Sequence, residues 1–259
     1  VALVRVERDG GVWRLTLNRP ERRNAMSLAM LGALGEALDE AEAGAARVVV
    51  LRGEGGHFCA GGDIADMQAA AAKKVDVGTD PIATMNRRFG TMLERVEALP
   101  FATVSVCEGG VMGGGFGLAC VTDVTLASPT ARFRLPETSL GISPAQIAPF
   151  VVQRLGLSQA RRLAVTGETL GADQAVALGL AHLAPADVDA ALGELLPQML
   201  RCEPGAVRAT KALVRSVGAV DLGPVLDRAA DDFAALARRP EAAAGMMAFL
   251  QREAPPWAR

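Results

Sequence analysis

Tyrosine is absent from this 259-residue chain, aromatic residues make up only 4% of it, and histidine occurs just twice, at His57 and His182. So few aromatic faces leave little on which bases could stack, and with a formal charge of −2 no dense lysine or arginine tract stands out to neutralise a run of phosphates. Nucleic acid is therefore not an expected partner. Two histidines offer little material for a histidine-rich metal site or for several imidazole bases, and neither is assigned a role. Cys59, Cys107, Cys120 and Cys202 are widely spaced and form no CxxC pair, so neither a zinc cage nor a disulfide framework is expected. The thiols are read as reduced and mostly buried. Half of the residues are hydrophobic, yet charged side chains interrupt every apolar run well before the length that spans a bilayer. No membrane segment is expected. The N-terminal VALVRVERDGG alternates like a strand and lacks the basic, apolar and small-residue zones of a signal peptide, which places the expected location in the cytoplasm.

A chain of this length holds one large domain, with or without a smaller appendage. Residues 3–7 and 12–17 read as two strands joined by the turn residues Asp9, Gly10 and Gly11. Residues 27–43 carry Leu28, Leu31, Leu34 and Leu38 at helical spacing behind Ser27, a suitable N-cap. Strands are expected at 47–52, 103–107, 122–127 and 131–134. Helices are expected from Ile64, over 85–99 and from about Phe116, with a polar, mobile stretch around 73–80. Repeated strand, loop and helix units argue for an α/β architecture. From Ala145 onward the pattern turns helical, over 147–155, 158–165, 172–178, 188–200, 204–217, 222–238 and 241–252. No internal repeat or flexible linker emerges. The one composition shift comes near Leu192, and so much alanine and leucine beyond it calls for a packing surface, its own core or a neighbouring subunit.

Two glycine-rich loops carry the chemical information: residues 57–64, HFCAGGDI, and residues 109–117, GGVMGGGFG. Each follows an expected strand and precedes an expected helix, so each directs unpaired backbone N–H groups into the space beyond the strand ends. That suits an anion, and successive glycines remove the Cβ atoms that would block close approach. A plain packing turn would need only one or two glycines. A P-loop would end in Gly-Lys-Ser/Thr, whereas Gly115 is followed by Phe116 and Gly117. A dinucleotide-binding fingerprint would sit in the first βαβ unit, and this cluster lies too far along the chain. Glu137 follows Pro136 after the strand around Phe133; taken alone, it reads as a solvated loop carboxylate.

In combination, the two loops and residues 133–142, FRLPETSLGI, resemble the enoyl-CoA hydratase/isomerase, or crotonase, superfamily. The likeness runs from LNRP at 17–20 and RNAM at 23–26 to AFL at 248–250. It implies the ClpP-like spiral of repeated ββα units, with residues 1–191 as the core and 192–259 as a helical region that assembles copies into trimers or pairs of trimers. It also implies an acyl-CoA thioester as substrate and partner, no metal, and no cofactor beyond the coenzyme A of the substrate itself. By the same likeness the N–H groups of Gly62 and Gly114 form an oxyanion hole and Glu137 is the catalytic carboxylate. Residues Arg23, Asn24, Ala25 and Met26, with Ala60, Asp63 and Ile64, correspond to coenzyme A contacts made largely through the backbone. Phe233 and Arg252 correspond to positions that approach the nucleotide from a C-terminal helix, often across a subunit boundary; Asp63 is expected to fix its loop rather than react.

One position departs from the pattern. Typical hydratases of the family carry a second glutamate where this chain has Gly117. Either Glu137 alone activates water and returns a proton to Cα, or the reaction needs a single base, as in isomerases that move a proton between Cα and Cγ. A silent coenzyme A-binding protein is a third reading of the same gap. The aspartate nucleophile of dehalogenase-type members should fall near Ala145, where none is available. Residues 141–151, GISPAQIAPFV, look like the counterpart in hydratases of branched glutaconyl-CoA esters, including the isohexenylglutaconyl-CoA hydratase type. That likeness favours hydration.

Overall fold

The computed structural model describes residues 2–73, 80–217 and 222–258; residues 74–79 of the expected mobile stretch therefore lie outside the described residues. β1 (Val4–Asp9) and β2 (Val12–Leu17) form an antiparallel hairpin turning at Gly10, whose φ of 56° is a conformation that glycine adopts without a Cβ clash. α1 (Leu28–Ala43) starts where the Ser27 hydroxyl accepts the Met30 N–H at 3.1 Å. β3 (Val48–Gly53) then leads through the first glycine loop to α2 (Ile64–Ala71) and α3 (Pro81–Ala98). After β4 (Ala102–Cys107) come β5 (Gly110–Met112), α4 (Gly114–Val121), β6 (Val124–Ala127) and β7 (Arg132–Arg134). The remainder runs through α5 (Ala148–Thr166), β8 (Thr169–Leu170), α6 (Ala172–Ala177), α7 (Val188–Leu200), α8 (Pro204–Ser216), α9 (Leu222–Ala237) and α10 (Pro240–Gln251).

The strands form a five-stranded sheet of order β1-β2-β3-β4-β6, parallel except for β1, and a three-stranded sheet of order β5-β7-β8. β3 is nearly all apolar because both of its faces are covered, as parallel strands require. Val49 and Leu51 share a core with Met30, Leu34 and Leu38 of α1 and with Leu93 and Val96 of α3. Val48 and Val50 face the other way, onto Val104, Leu126 and the α7 residues Val188, Leu192 and Leu196. Burying each such side chain contributes about 2 kcal/mol. With both faces closed, the strand ends are where chemistry has room. The composition shift at Leu192 falls inside α7, which closes the outer face of the sheet.

Several elements differ from the sequence expectation. β5 and β8 read as loop, and each exists only through pairing with β7. α4 begins at Gly114, two residues before Phe116. The two expected helices at 147–155 and 158–165 form α5, interrupted at Gly156 with φ 74° and ψ 160°. Cys59, Cys107 and Cys120 are buried, whereas Cys202 is exposed. Both histidines tie main chain: His57 Nδ1 accepts from the Gly110 N–H and His182 Nδ1 from the Thr125 N–H, each at 2.9 Å. Among the described residues no helix is long and apolar enough to cross a membrane.

The C-terminal helices are anchored to the sheet by Arg47, just ahead of β3. Its guanidinium donates to the main-chain oxygens of Leu200, Cys202 and Trp257. Arg47→Met is expected to lower stability by about 2–4 kcal/mol, since charge-assisted bonds to three carbonyls are lost together. Urea unfolding measures the loss, and faster amide exchange near residues 200–202 and 257 locates it.

Candidate active site

Two single-residue bridges hold the glycine loops: one ties the first loop to Met26, and the other joins the two loops to each other. Met26 pairs with Gly62, its N–H reaching Gly61 O at 2.7 Å while the Asp63 N–H reaches Met26 O at 3.2 Å. Cys59 pairs with Val111, its N–H reaching Gly110 O at 3.1 Å while the Met112 N–H reaches Cys59 O at 2.9 Å. The turns therefore touch: a Cβ on Gly61 would lie 3.1 Å from Met112 O and 3.7 Å from Gly113 Cα. Both residues also have positive φ, 94° at Gly61 and 48° at Gly113, so this approach is open to glycine and strained for other residues.

Beside that contact, the N–H groups of Gly62 and Gly114 have no acceptor among the described residues. Gly62 is exposed. Gly114 is the first residue of α4, so its N–H belongs to the unpaired, partly positive end of the helix. Two free donors on touching turns are suited to an oxygen that gains negative charge.

Glu137 reaches this place by a different path. The Gly113 N–H donates to Arg134 O at 3.0 Å, which docks the second turn on the end of β7. Phe116 on α4 meets Phe133 on β7 edge to face, with centroids 6.2 Å apart and planes at 88°. Three residues past Arg134, a 3-10 turn begins at Glu137 and runs to Leu140. Thr138 Oγ1 pins it by donating to Ala164 O at 2.9 Å, and the Arg134 Nε donates to Gly167 O at 2.6 Å. The carboxylate consequently lies over Gly113, where an added Cβ would be 2.6 Å from Glu137 Oε1. Glu137 is only 9% exposed, and its Oε2 is buried with no hydrogen-bond partner among the described residues. Burial raises its pKa above the usual carboxylate range, and its own backbone N–H offsets only part of that. An unpaired carboxylate oxygen is costly to bury, and such groups cluster where function needs them.

Gly117 faces hydrocarbon. A Cβ there would stand 3.1 Å from Leu93 Cδ1 and 3.4 Å from both Ile147 γ carbons. The space for a second carboxylate is thus occupied by an apolar wall. Phe89 of α3 lies against the second turn, its Cζ 3.0 Å from where a Gly114 Cβ would be.

Asp63 serves as the α2 N-cap, accepting from the Ala65 and Asp66 N–H groups at 2.8 and 3.3 Å, and forms an ion pair with Arg19. Burial alone would push its carboxyl up; the Arg19 guanidinium and the two N–H groups hold it below the ordinary range. Asn24 is fully buried. Its side chain donates to Glu54 O and His57 O at 2.9 and 2.7 Å and accepts from the Arg19 N–H at 2.8 Å, and its own N–H donates to Arg19 O at 2.9 Å, so only its carbonyl is left for a ligand. Met26 is buried as well, Ala25 and Ala60 are half-buried, and Arg23 and Ile64 are exposed along the same edge. The Ala60 N–H donates to Arg23 O at 2.9 Å, which joins the two segments of that edge. Phe233 is 74% exposed on α9, which packs on α8 and α10. Arg252 closes α10 with a φ of 58°. Among the described residues of one chain, nothing packs these two against the glycine turns. No group of three or more His, Cys, Asp or Glu among the described residues is placed to hold a metal ion.

Gly61 and Gly113, marked in the sequence only as members of their loops, shape the turns through positive φ; sequence reasoning passed over the roles of Phe89, Leu93 and Ile147, which form the wall. Helical periodicity marks the last three as core without showing what they face. Gly113→Ala is expected to keep the overall fold while straining the second turn, and to lower turnover at least about a hundredfold, because the new methyl displaces the Glu137 carboxylate, the candidate general base, and pushes the two turns apart. Steady-state kinetics on variants with an unchanged circular dichroism spectrum check this.

The family model described as enoyl-CoA hydratase/isomerase matches residues 7–259. The 2,3-dehydroadipyl-CoA hydratase of Escherichia coli K12 is 33% identical over 254 residues, covering 96% of each chain. Among solved structures, an enoyl-CoA hydratase/isomerase from Marinobacter aquaeolei superposes with a TM-score of 0.95 at 46% identity, covering 99% of both chains. Pseudomonas aeruginosa AtuE superposes with a TM-score of 0.93 at 50% identity, covering 99% of this chain and all of the other. A match that runs almost from end to end, on a fold that sets two free glycine amides beside a buried glutamate, places the chain in the enoyl-CoA hydratase/isomerase family of the crotonase superfamily.

Proposed function

We propose that this enzyme adds water across the conjugated double bond of a 2-enoyl-CoA, with a branched glutaconyl-CoA as the substrate type. The observation that carries the reading is the buried carboxylate of Glu137, one oxygen without a partner, over the turn that presents the Gly114 N–H. The thioester oxygen sits between the Gly62 and Gly114 amides. Glu137 takes a proton from water as its oxygen bonds to Cβ; the double-bond electrons move to Cα and the thioester oxygen, forming an enolate. Each amide is worth about 3 kcal/mol in that transition state. The same carboxyl then gives its proton to Cα, so one group completes both transfers and the site needs no other cofactor. A raised pKa suits a group that must first accept and then donate.

Coenzyme A is bound in this reading along the edge formed by Arg23, Asn24, Ala25, Met26, Ala60, Asp63 and Ile64, with Phe233 and Arg252 supplied by a neighbouring subunit. Exposed Leu226, Phe233, Phe249 and Leu250 on α9 and α10 support assembly through residues 192–259 into a trimer or a pair of trimers. Sedimentation equilibrium is expected to give three or six times the chain mass; a monomer at micromolar concentration contradicts that assembly.

The apolar wall at Gly117 favours one alternative, proton transfer between Cγ and Cα of a 3-enoyl-CoA by the same three residues. A 2-enoyl-CoA and a 3-enoyl-CoA separate the two. Hydration produces a 3-hydroxyacyl-CoA from the first, whereas isomerisation shifts absorbance without added mass. Glu137→Gln is expected to retain acyl-CoA binding and to lose at least about a hundredfold in turnover. The acid limb of kcat/KM should fall above the usual glutamate range. Because the folded-state pKa is raised, ionising Glu137 weakens the fold as pH rises from the unfolded to the folded value. The glutamine variant is therefore expected to be more stable than wild type at pH 7, and thermal unfolding at pH 4 and pH 7 reads the difference.

A further inference from the structure

The hollow beside the glycine turns is bounded by α3 and by the segment after Glu137. Phe89 covers Gly114, and four residues on Leu93 meets Gly117. Between them Gly90 faces Gln146: an added Cβ would collide with Gln146 Oε1, and would lie 2.8 Å from Gln146 Cδ and 2.9 Å from Arg87 Nη1. A side-chain amide and a guanidinium edge thus meet over a glycine, one residue along the helix from the ring that covers Gly114. Among the described residues the Gln146 side chain has no hydrogen-bond partner, although it is partly buried. Arg87 spends Nη2 on both Glu94 oxygens, at 3.1 and 2.8 Å. That ion pair is exposed, and it leaves the Nη1 edge beside Gln146.

The surrounding chemistry limits what this pair can take. Leu93 and Ile147 pack closely against Gly117 and leave no place for a polar group there. A purely hydrocarbon acyl chain reaching Gly90 would meet the amide and the Nη1 edge and satisfy neither. A carboxylate accepts from both, from Nη1–H and from the Gln146 amide N–H, in the charge-assisted geometry that arginine favours. Glycine at position 90 lets the Gln146 amide lie against α3 beside Arg87, since any side chain there would displace it.

We propose that Arg87 and Gln146 form a recognition site for a carboxylate carried on the acyl portion of the substrate, several bonds beyond the thioester carbonyl. The proposal rests on the acyl-CoA reading of the Gly62, Gly114 and Glu137 site and adds to it the residues that select acidic acyl chains over neutral ones.

Saturated esters separate recognition from turnover. Binding of glutaryl-CoA and adipyl-CoA is compared by calorimetry with that of pentanoyl-CoA and hexanoyl-CoA, on the full-length protein and on Arg87→Met and Gln146→Leu. At least one acidic ester is expected to bind about tenfold or more tighter than its neutral counterpart, with each substitution cutting that ratio by about fivefold or more. Gln146→Glu, which sets a like charge against the ligand, should erase the preference, so the proposal stays testable if one of the first two variants does not fold. Equal or tighter binding of both neutral esters by the wild type overturns it, as does an acidic preference that none of the foldable variants diminishes. If no ester binds, the acyl-CoA reading itself fails and the carboxylate site falls with it. Binding of all four without preference removes only the carboxylate site.

Discussion

The contact between Gly61 and Gly113 is the constraint on which the rest of this structure depends. It arises because Cys59 pairs with Val111, joining the loop after β3 to the short β5, and because neither glycine carries a Cβ. Positive φ at both residues turns the chain so that the next N–H, of Gly62 or of Gly114, is left without an internal acceptor. A larger residue at either place would separate the turns and with them the two donors. The five-stranded sheet, closed on one face by α1 and α3 and on the other by α7, holds these loops at its strand ends.

Around that contact, groups that would normally be paired are left unpaired, and groups that could react are tied down. Glu137 Oε2 is buried without a partner, and the Gly114 N–H opens α4 with no cap. Asp63 and Asn24, by contrast, are saturated with partners, and they keep the first loop in place while the glycine amides stay free. Such a site is destabilising in isolation. The apolar layers on both sides of the sheet, with the Arg47 anchor of the C-terminal helices, supply the compensating stability. Cys59 is also part of this scaffold: its thiol is pushed up to about 11 by burial, and its sulfur accepts the Gly61 N–H at 3.4 Å, which suits a packing residue and not a nucleophile.

Much of this was legible in the sequence for physical reasons. Ser27 marked the start of α1, RVVVLR at 47–52 marked a buried strand, and the two glycine clusters marked backbone open to an anion. β5 was not legible, because Gly110-Val111-Met112 becomes a strand only by pairing with residues 132–134 far along the chain. The start of α4 at Gly114 was hidden similarly, since two glycines are poor helix formers and are held there by the dock of Gly113 on Arg134. Gly117 could be recognised as a departure from the family, but not that Leu93 and Ile147 fill its place. Periodicity tells which residues face inward and is silent on which remote residue they meet.

Carbonyl polarisation is the most direct test of two amides converging on one oxygen. The stretch of a carbon-13-labelled thioester carbonyl, recorded by difference infrared spectroscopy for a 2-enoyl-CoA bound to the Glu137→Gln protein, should move to lower frequency than in water. The shift should shrink when Gly114 is replaced by proline, which has no N–H to donate. A bound carbonyl band at its aqueous frequency, or one indifferent to that replacement, would contradict the arrangement.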